Sequence, residues 1–441
     1  MAALDGSIVN IALPVIARTT GASVSTVEWV VLAYLITVSA ALFVFGHLAD
    51  LYGKRRIYLL GLSVFVLGSL CCGLAGRIGL LVGARVMQAA GAAMLFALSP
   101  AILVGAFPPA ERGRALGLQA TMTYLGLVAG PGLGGLLIDW LGWPAIFFVN
   151  VPVGLATMWA AGRVLGGDRP AAGQLFDPAG AGSLALALAA LLLALSKGGE
   201  WGWGHPAIVG LAVVAACSSV AFVAIERRQA HPAIDLGLFR DRRFSASVLA
   251  SYLCYLSSAS VGFLMPFLLL SAAGCSASHA GLVMMSVPVA MLVLTGPSGA
   301  LSDRVGVRAL ATAGLVVSSA GMFLLGGLGP EASSLHRVLG LALTGVGTGL
   351  FTAPNNSAIM GSVPAERQGV AGAILSATRT VGFASGVALA GIVYLAGLRA
   401  SGLGHAPEAV AQAVCTGLRL TACAALLGAL CSAVRGPAVK P

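Results

Sequence analysis

The sequence predicts an all-α polytopic membrane protein with fourteen transmembrane helices, arranged as two six-helix halves with two inserted helices between them. Three observations carry this prediction. Of the 441 residues, 58% are apolar and 9% are charged, apolar runs of membrane-spanning length recur along the chain, and one loop pattern occurs twice. Soluble domains are about a quarter charged, and a chain this apolar has too little polar surface to face water. The composition therefore excludes a soluble enzyme, a disordered chain and a secreted disulfide-bonded scaffold.

The apolar runs determine the predicted spans. A bilayer core about 30 Å thick requires roughly 20 apolar residues per helix, and fourteen spans leave about 31 residues for each span with its loop. Between Leu4 and Arg18 a helix rises only about 22 Å, so we expect the first span to be short. We predict spans near residues 1–18, 26–47, 57–76, 79–106, 115–138, 145–166, 179–196, 207–225, 245–270, 279–300, 309–329, 335–360, 370–397 and 411–433.

The basic residues predict the orientation in the membrane. Most of the 25 Lys and Arg residues fall on one side of the predicted spans, and the positive-inside rule places the cytoplasm there. Both termini are then cytoplasmic, the chain is a multi-pass protein of the cell membrane, and the net charge of +10 requires no nucleic-acid partner. The predicted domains are an N-terminal bundle over 1–166, two inserted helices with linkers over 167–244, a C-terminal bundle over 245–433 and a tail over 434–441.

The residues that usually indicate enzymes and metal sites form no such pattern here. All cysteines except Cys275 lie within apolar runs, where Cys acts as a small apolar residue, and the histidines are scattered. The sequence contains no G-x-x-x-x-G-K-[ST] phosphate-binding loop, and its loops are too short for a catalytic domain. We therefore expect no enzymatic activity, no bound metal and no cofactor.

An internal repeat divides the chain into related halves. The segments Gly46–Gly53 and Gly299–Gly306 share the pattern G-x-L-x-D-x-x-G at an offset of 253 residues, and the tetrapeptide P-A-E-R recurs from Pro109 to Pro364, an offset of 255. Two independent landmarks with nearly the same offset indicate a duplication. Two similar halves around a central cavity are typical of an alternating-access transporter.

Four segments give the sequence its resemblance to a known family. They are Leu4–Pro14 in the first span, the loop Gly46–Arg56, Arg85–Gly91 in the fourth span and Gly126–Gly135 in the fifth. Together they resemble the motifs of the major facilitator superfamily, and specifically its fourteen-helix drug:proton antiporter branch. The resemblance implies the major facilitator fold. It also implies efflux of amphiphilic drugs or antibiotics driven by the proton gradient, by a monomer whose partners are the bilayer, protons and a small substrate.

Asp5 and Arg85 are the predicted proton-coupling residues. A charge within the apolar core costs about 3 kcal/mol or more unless it is paired or hydrated, so such residues indicate function. Gln88 lies one helical turn from Arg85, on the same face. An antiporter needs an acid that releases its proton inside the cell and regains it outside. The alternatives are that Asp5 faces water near the chain end and that Arg85 only binds backbone carbonyls.

The predicted substrate cavity lies between the halves. Its candidates are chosen from helix position, and ordinary packing, or snorkelling for the arginine, is the alternative for each. They are Asn10, Trp29, Tyr34, Gln88, Tyr124 and Arg379.

Two motifs are predicted to control conformation. In the repeated loop a carboxylate beside cations could latch one state, although these charges could also only set topology. Glycines at every fourth residue of the fifth span allow close helix packing, and a proline there permits a bend, which favours a hinge or a seal over packing alone. The residues are Gly46, Asp50, Gly53, Lys54 and Arg55, their repeat counterparts Asp303 and Gly306, and Gly126, Gly130, Pro131, Gly134 and Gly135.

A second function fits the same fold. The chain could be a dedicated exporter or importer of one metabolite, because an apolar cavity leaves no spacing signature that identifies its substrate.

Overall fold

The protein is described here by a computed structural model covering residues 1–106, 108, 112–166, 178–227, 236–363, 368–403 and 406–435. Within these ranges the chain is helical and contains no β-strand. A helix satisfies every backbone hydrogen bond within its own segment, which lipid requires of a spanning structure. The prediction of an all-α polytopic protein is confirmed.

Contacts divide the chain into two compact units, Met1–Ile225 and Glu226–Pro441. The predicted subdivision at residues 166, 244 and 433 remains a prediction. The helices of the first unit are α1 Ala2–Thr20, α2 Val24–Val27, α3 Trp29–Tyr52, α4 Lys54–Gly73, α5 Ile78–Ala106, α6 Arg112–Leu141, α7 Ala145–Phe148, α8 Asn150–Val164, α9 Pro178–Trp201 and α10 Pro206–Glu226.

The second unit begins with a 3-10 turn at Leu236–Arg240, and its first long helix ends in a π-helical segment at Phe267–Ala272. Its α-helices are α11 Arg242–Pro266, α12 Ala277–Met284, α13 Ser286–Val305, α14 Val307–Gly326, α15 Ser334–Gly361, α16 Gln368–Ser401 and α17 Pro407–Ala433.

Twelve helical segments among the described residues are long and apolar enough to cross a membrane. The helices α9 and α15 are outside this set, so fourteen spans remain a prediction. In α9 the described apolar stretch, Gly182–Gly198, is too short for this count. In α15 polar side chains lower the hydropathy, although Thr344, Thr348 and Thr352 each donate to the carbonyl four residues earlier.

The first helix is long enough to be a candidate span, whereas the sequence predicts a short one. It spans the 19 residues Ala2–Thr20, or about 28 Å at 1.5 Å per residue, and belongs to the twelve candidate spans. It ends at Gly21, whose φ of 65° is left-handed, a conformation that glycine adopts without steric cost.

The sequence repeat is also a structural repeat. Gly53 and Gly306 each separate two long helices and have nearly the same conformation, with φ 93° and ψ 134° at Gly53 and φ 93° and ψ 139° at Gly306. Each backbone N–H donates over 2.9 Å to the carbonyl four residues earlier. Because a side chain would be strained at this φ, glycine is required at both turns.

Candidate functional site

A buried polar cluster joins three helices of the first unit. Asp5 lies on α1, Arg85 and Gln88 lie on α5, and Asn150 begins α8. None of these side chains is more than 1% exposed. Because α1 and α5 are among the apolar candidate spans, these groups can be accommodated only by pairing with one another.

Both carboxylate oxygens of Asp5 accept hydrogen bonds. Arg85 Nη1 donates to Oδ2 over 2.6 Å, which makes a buried ion pair. Oδ1 accepts from Gln88 Nε2 over 2.9 Å and from Asn150 Nδ2 over 2.8 Å. Three donors from two other helices therefore fix the position of one carboxylate.

Besides its ion pair with Asp5, Arg85 makes further hydrogen bonds and two cation–π contacts. Its Nε donates to the Val30 carbonyl over 2.9 Å, and Nη1 also reaches Gln88 Oε1 at 2.6 Å. The guanidinium carbon lies 4.2 Å from the ring centroid of Tyr34 and 5.7 Å from that of Phe147. Arginine stacks on aromatic faces and donates in a fixed fork, so the geometry uses properties that lysine lacks.

Close packing of α4 against α5 fixes Gln88. A Cβ added at Gly68 would lie 2.6 Å from the Gln88 backbone nitrogen, so only glycine allows this approach. The neighbouring Ser69 hydroxyl accepts from Gln88 Nε2 over 2.8 Å. The amide of Gln88 thus connects α4 to the carboxylate on α1.

The second unit repeats this packing with a leucine in place of Arg85. A Cβ at Gly321 would lie 2.6 Å from the Thr344 nitrogen. This contact matches that of Gly68 with Gln88, because Gly321 follows Gly68 by 253 residues and Thr344 follows Gln88 by 256. The same shift of 256 relates Arg85 to Leu341. The repeat has kept this backbone contact, whereas an apolar side chain stands where the first unit has Arg85.

The cluster can exist in two chemically distinct states. A carboxylate accepts hydrogen bonds from all three donors, but protonation removes its charge and gives one oxygen a hydrogen to donate. Protonated Asp5 can no longer form the ion pair, and Arg85 would be left as an unpaired buried cation, which is costly.

Four residues chosen from the sequence meet in this cluster: Asp5, Arg85, Gln88 and Tyr34. Asp5 does not face water, and Arg85 binds a carboxylate as well as a backbone carbonyl. The sequence analysis did not identify Asn150 or Ser69 as members. Asn150 begins α8, after the tryptophan- and proline-containing turn that follows α6. A polar residue at the start of an apolar helix was the sequence signal that could have identified it.

The structure describes the side chains of three of the four remaining cavity candidates. Trp29, at the start of α3, lies with its ring centroid 5.4 Å from Lys197 Nζ. Asn10 on α1 buries an Oδ1 that has no hydrogen-bond partner among the described residues. Arg379 is exposed on α16 in the second unit, and the side chain of Tyr124 is outside the described residues. Their role in a cavity remains a prediction.

The glycine motif of α6 packs directly on the helix that carries Asp5. Gly126, Gly130 and Gly134 all face α1. A Cβ added at Gly130 would overlap the Ser7 hydroxyl, and one at Gly134 would lie 2.6 Å from Cγ1 of Ile8. The motif therefore determines how closely α6 approaches the segment next to Asp5. Pro131 and Gly135 are buried in the same stretch, and a hinge there remains a prediction.

Gly130→Val is expected to displace α1 and reduce transport by about tenfold or more, because overpacking a close helix contact costs about 1–3 kcal/mol. Transport in membrane vesicles and thermal stability of the purified protein measure the two effects. Gly210→Val is the matched control, since a Cβ there meets no atom within 4 Å. Equal losses in both variants would show that valine acts through helix propensity alone.

The repeated loop is only partly described. Arg55 Nη2 donates over 2.8 Å to the Gly162 carbonyl in the last turn of α8, which ties α4 to α8. Lys54 is half-buried, and a Cβ at Gly46 meets open space. The side chains of Asp50 and Asp303 are outside the described residues, so a conformational latch remains a prediction.

Comparison with known proteins yields one consistent family. Residues 1–226 and 247–432 match the Major Facilitator Superfamily. The riboflavin transporter RibZ of Clostridioides difficile is 33% identical over 395 residues, covering 88% of this chain and 84% of RibZ. The multidrug resistance protein Stp of Mycobacterium tuberculosis is 35% identical over 412 residues, covering 93% of this chain and 76% of Stp.

Among solved structures, the POT family transporter PepTSo matches with a TM-score of 0.68 at 15% identity, covering 98% of this chain and 95% of that chain. At this identity the likeness is one of fold alone.

Proposed function

Because the chain belongs to the Major Facilitator Superfamily, whose members are transporters and not enzymes, we propose that it exports amphiphilic drugs or antibiotics in exchange for protons. The observation that carries the proposal is the Asp5 carboxylate, buried in an apolar helix and bound to Arg85, Gln88 and Asn150. Burying this charge costs free energy, and a role in ion coupling accounts for its presence.

The proposed cycle uses the two protonation states of Asp5. With the pocket open to the outside, Asp5 takes up a proton and its ion pair with Arg85 is released. The protonated protein turns inward, where Asp5 gives up the proton and the substrate binds. Each unit charge moved through 100 mV contributes about 2.3 kcal/mol. This free energy is enough to drive export of the substrate from a lower to a higher concentration.

The cargo is proposed from the relatives. Several of them are named multidrug resistance or export proteins, which supports a broad range of amphiphilic substrates. We propose that the chain acts as a monomer with both termini in the cytoplasm and no bound cofactor. The cell membrane is then the site of action.

One observation favours a second candidate function. The relative RibZ is named for riboflavin transport, and it covers nearly as much of the chain as Stp does. The same fold and coupling site would then move a single metabolite.

A vesicle assay separates the two candidates. Everted membrane vesicles containing the protein are energised, and compounds are tested for their ability to dissipate the proton gradient: ethidium as a lipophilic cation, chloramphenicol as a neutral antibiotic, and riboflavin. Dissipation by ethidium and chloramphenicol supports drug antiport, and dissipation by riboflavin alone supports the dedicated transporter. Uptake of these compounds with no effect on the gradient would contradict proton coupling.

A further inference from the structure

A second polar site lies in the second unit, far along the sequence from the Asp5 cluster. A cavity of about 850 Å³ opens at one end of this unit and is lined by Arg243, Arg308 and Arg435. None of the described residues lining it is acidic. The positive-inside rule assigns this end to the cytoplasm.

The most buried of these cations has no charged partner among the residues that the structure describes. Arg435 follows the last turn of α17 and is only 5% exposed. Its Nη2 donates to Asn355 Oδ1, while Nε and Nη1 have no hydrogen-bond partner among the described residues. Burial lowers the pKa of the Arg435 guanidinium to about 10, so it stays charged at neutral pH, and no acidic side chain in the described part of the chain pairs with it.

Two hydroxyls of the same cavity are also unpartnered. Ser247 is fully buried on α11, and Thr312 lies on α14. Both line the cavity, and neither Oγ of Ser247 nor Oγ1 of Thr312 has a hydrogen-bond partner among the described residues. Buried polar atoms are normally paired, so two guanidinium nitrogens and two hydroxyls without partners among the described residues around one cavity indicate a missing acceptor.

The backbone supports the same interpretation. The 20-residue helix α14 begins at this cavity after Gly306, and no side chain caps its first turn. Free N–H groups at a helix N-terminus favour an anion. An anion with several acceptor oxygens, such as a phosphate group, matches these donors.

The cavity is larger than a phosphate group and continues onto an apolar surface. Ala309, Ala313 and Val316 line it and are exposed on one face of α14, which is a candidate membrane span. Aliphatic chains can lie along this face while a headgroup enters the cavity. Basic pockets between helices at the cytoplasmic side suit anionic lipid headgroups.

We propose that this cavity binds an anionic phospholipid, with the headgroup phosphate held by Arg435, Ser247 and Thr312 and the acyl chains on the exposed face of α14. The site is independent of the Asp5 cluster. Its occupant would replace the missing acceptor and fasten the ends of α11, α14 and α17 together.

In the test, the purified full-length protein in neutral detergent is titrated with lipid, and its thermal stability is measured at each lipid concentration. Phosphatidylglycerol is expected to stabilise the protein at lower concentration than phosphatidylcholine. Arg435→Gln is expected to weaken phosphatidylglycerol binding about tenfold or more, since a hydrogen bond to a charged group is lost. Arg304→Gln, an exposed arginine of the same end that does not line the cavity, should leave binding unchanged.

Thr312→Val keeps the proposal testable if Arg435→Gln fails to fold. Its hydroxyl has no partner in the protein, so the variant should be as stable as wild type in phosphatidylcholine and bind phosphatidylglycerol several-fold more weakly. Equal binding of both lipids, or equal weakening by Arg304→Gln and Arg435→Gln, would overturn the proposal. If inorganic phosphate alone stabilises the protein as much as phosphatidylglycerol does, the ligand is a free anion and the lipid assignment is overturned.

Discussion

Asp5→Asn is expected to abolish proton-driven export, reducing the response in energised vesicles to that of vesicles without the protein. The amide nearly preserves the shape of the carboxylate but cannot titrate, so proton binding and substrate movement become uncoupled. Substrate binding to the purified variant should persist but should no longer release a proton, because residue 5 then has none to lose.

Folding must be separated from coupling in this variant. Removing one partner of a buried ion pair costs about 3–5 kcal/mol, because the other charge is left unpaired. The double variant Asp5→Asn with Arg85→Gln removes both charges and should regain much of the lost thermal stability while remaining inactive. Glu331→Gln, at an exposed acid, is the charge-matched control. Normal uphill export by Asp5→Asn would remove Asp5 from the mechanism.

Arg85→Ala is expected to stop turnover as completely as Asp5→Asn does, for a different reason. It leaves the Asp5 carboxylate with only the Gln88 and Asn150 amides as donors and empties the space beside Tyr34. Arg85→Lys keeps the charge but loses the bond to the Val30 carbonyl and the stacking on Tyr34, so partial activity is expected. Initial export rates over a range of external pH measure both variants.

A structural role for Arg85 would give another pattern. If Arg85 only supports packing, Arg85→Lys and Arg85→Ala should lose activity in proportion to their thermal stability, and the pH dependence of the residual rate should match wild type. A shifted pH profile in Arg85→Lys supports the coupling role. The control is Arg77→Ala, at an exposed arginine between α4 and α5, which should transport normally.

The sequence predicted the helical fold and four members of the cluster for physical reasons. Lipid requires helices of a certain length, and that length is visible as apolar runs. A charge inside such a run is costly, so Asp5 and Arg85 stand out, and Gln88 follows from helical spacing. The repeated turns at Gly53 and Gly306 are visible because glycine alone fits a φ of 93°.

The rest of the cluster depends on tertiary contacts that have no sequence period. Asn150 reaches Asp5 across 145 residues, and Ser69 takes part only because Gly68 lets α4 approach α5. The unpartnered atoms of Ser247, Thr312 and Arg435 are likewise recognisable only once three helices are placed together. The hydropathy of α15 leaves it outside the twelve candidate spans, although its threonine hydroxyls are satisfied by their own helix.

Proton coupling at Asp5 predicts that the protein releases a proton when substrate binds. The purified protein in weakly buffered detergent is mixed with whichever compound of the vesicle panel is exported fastest, and a pH-sensitive dye reports the change. Wild type is expected to acidify the solution, because substrate displaces the proton from Asp5, and Asp5→Asn is expected to bind the compound without acidification. Equal proton release by the two proteins would contradict the account.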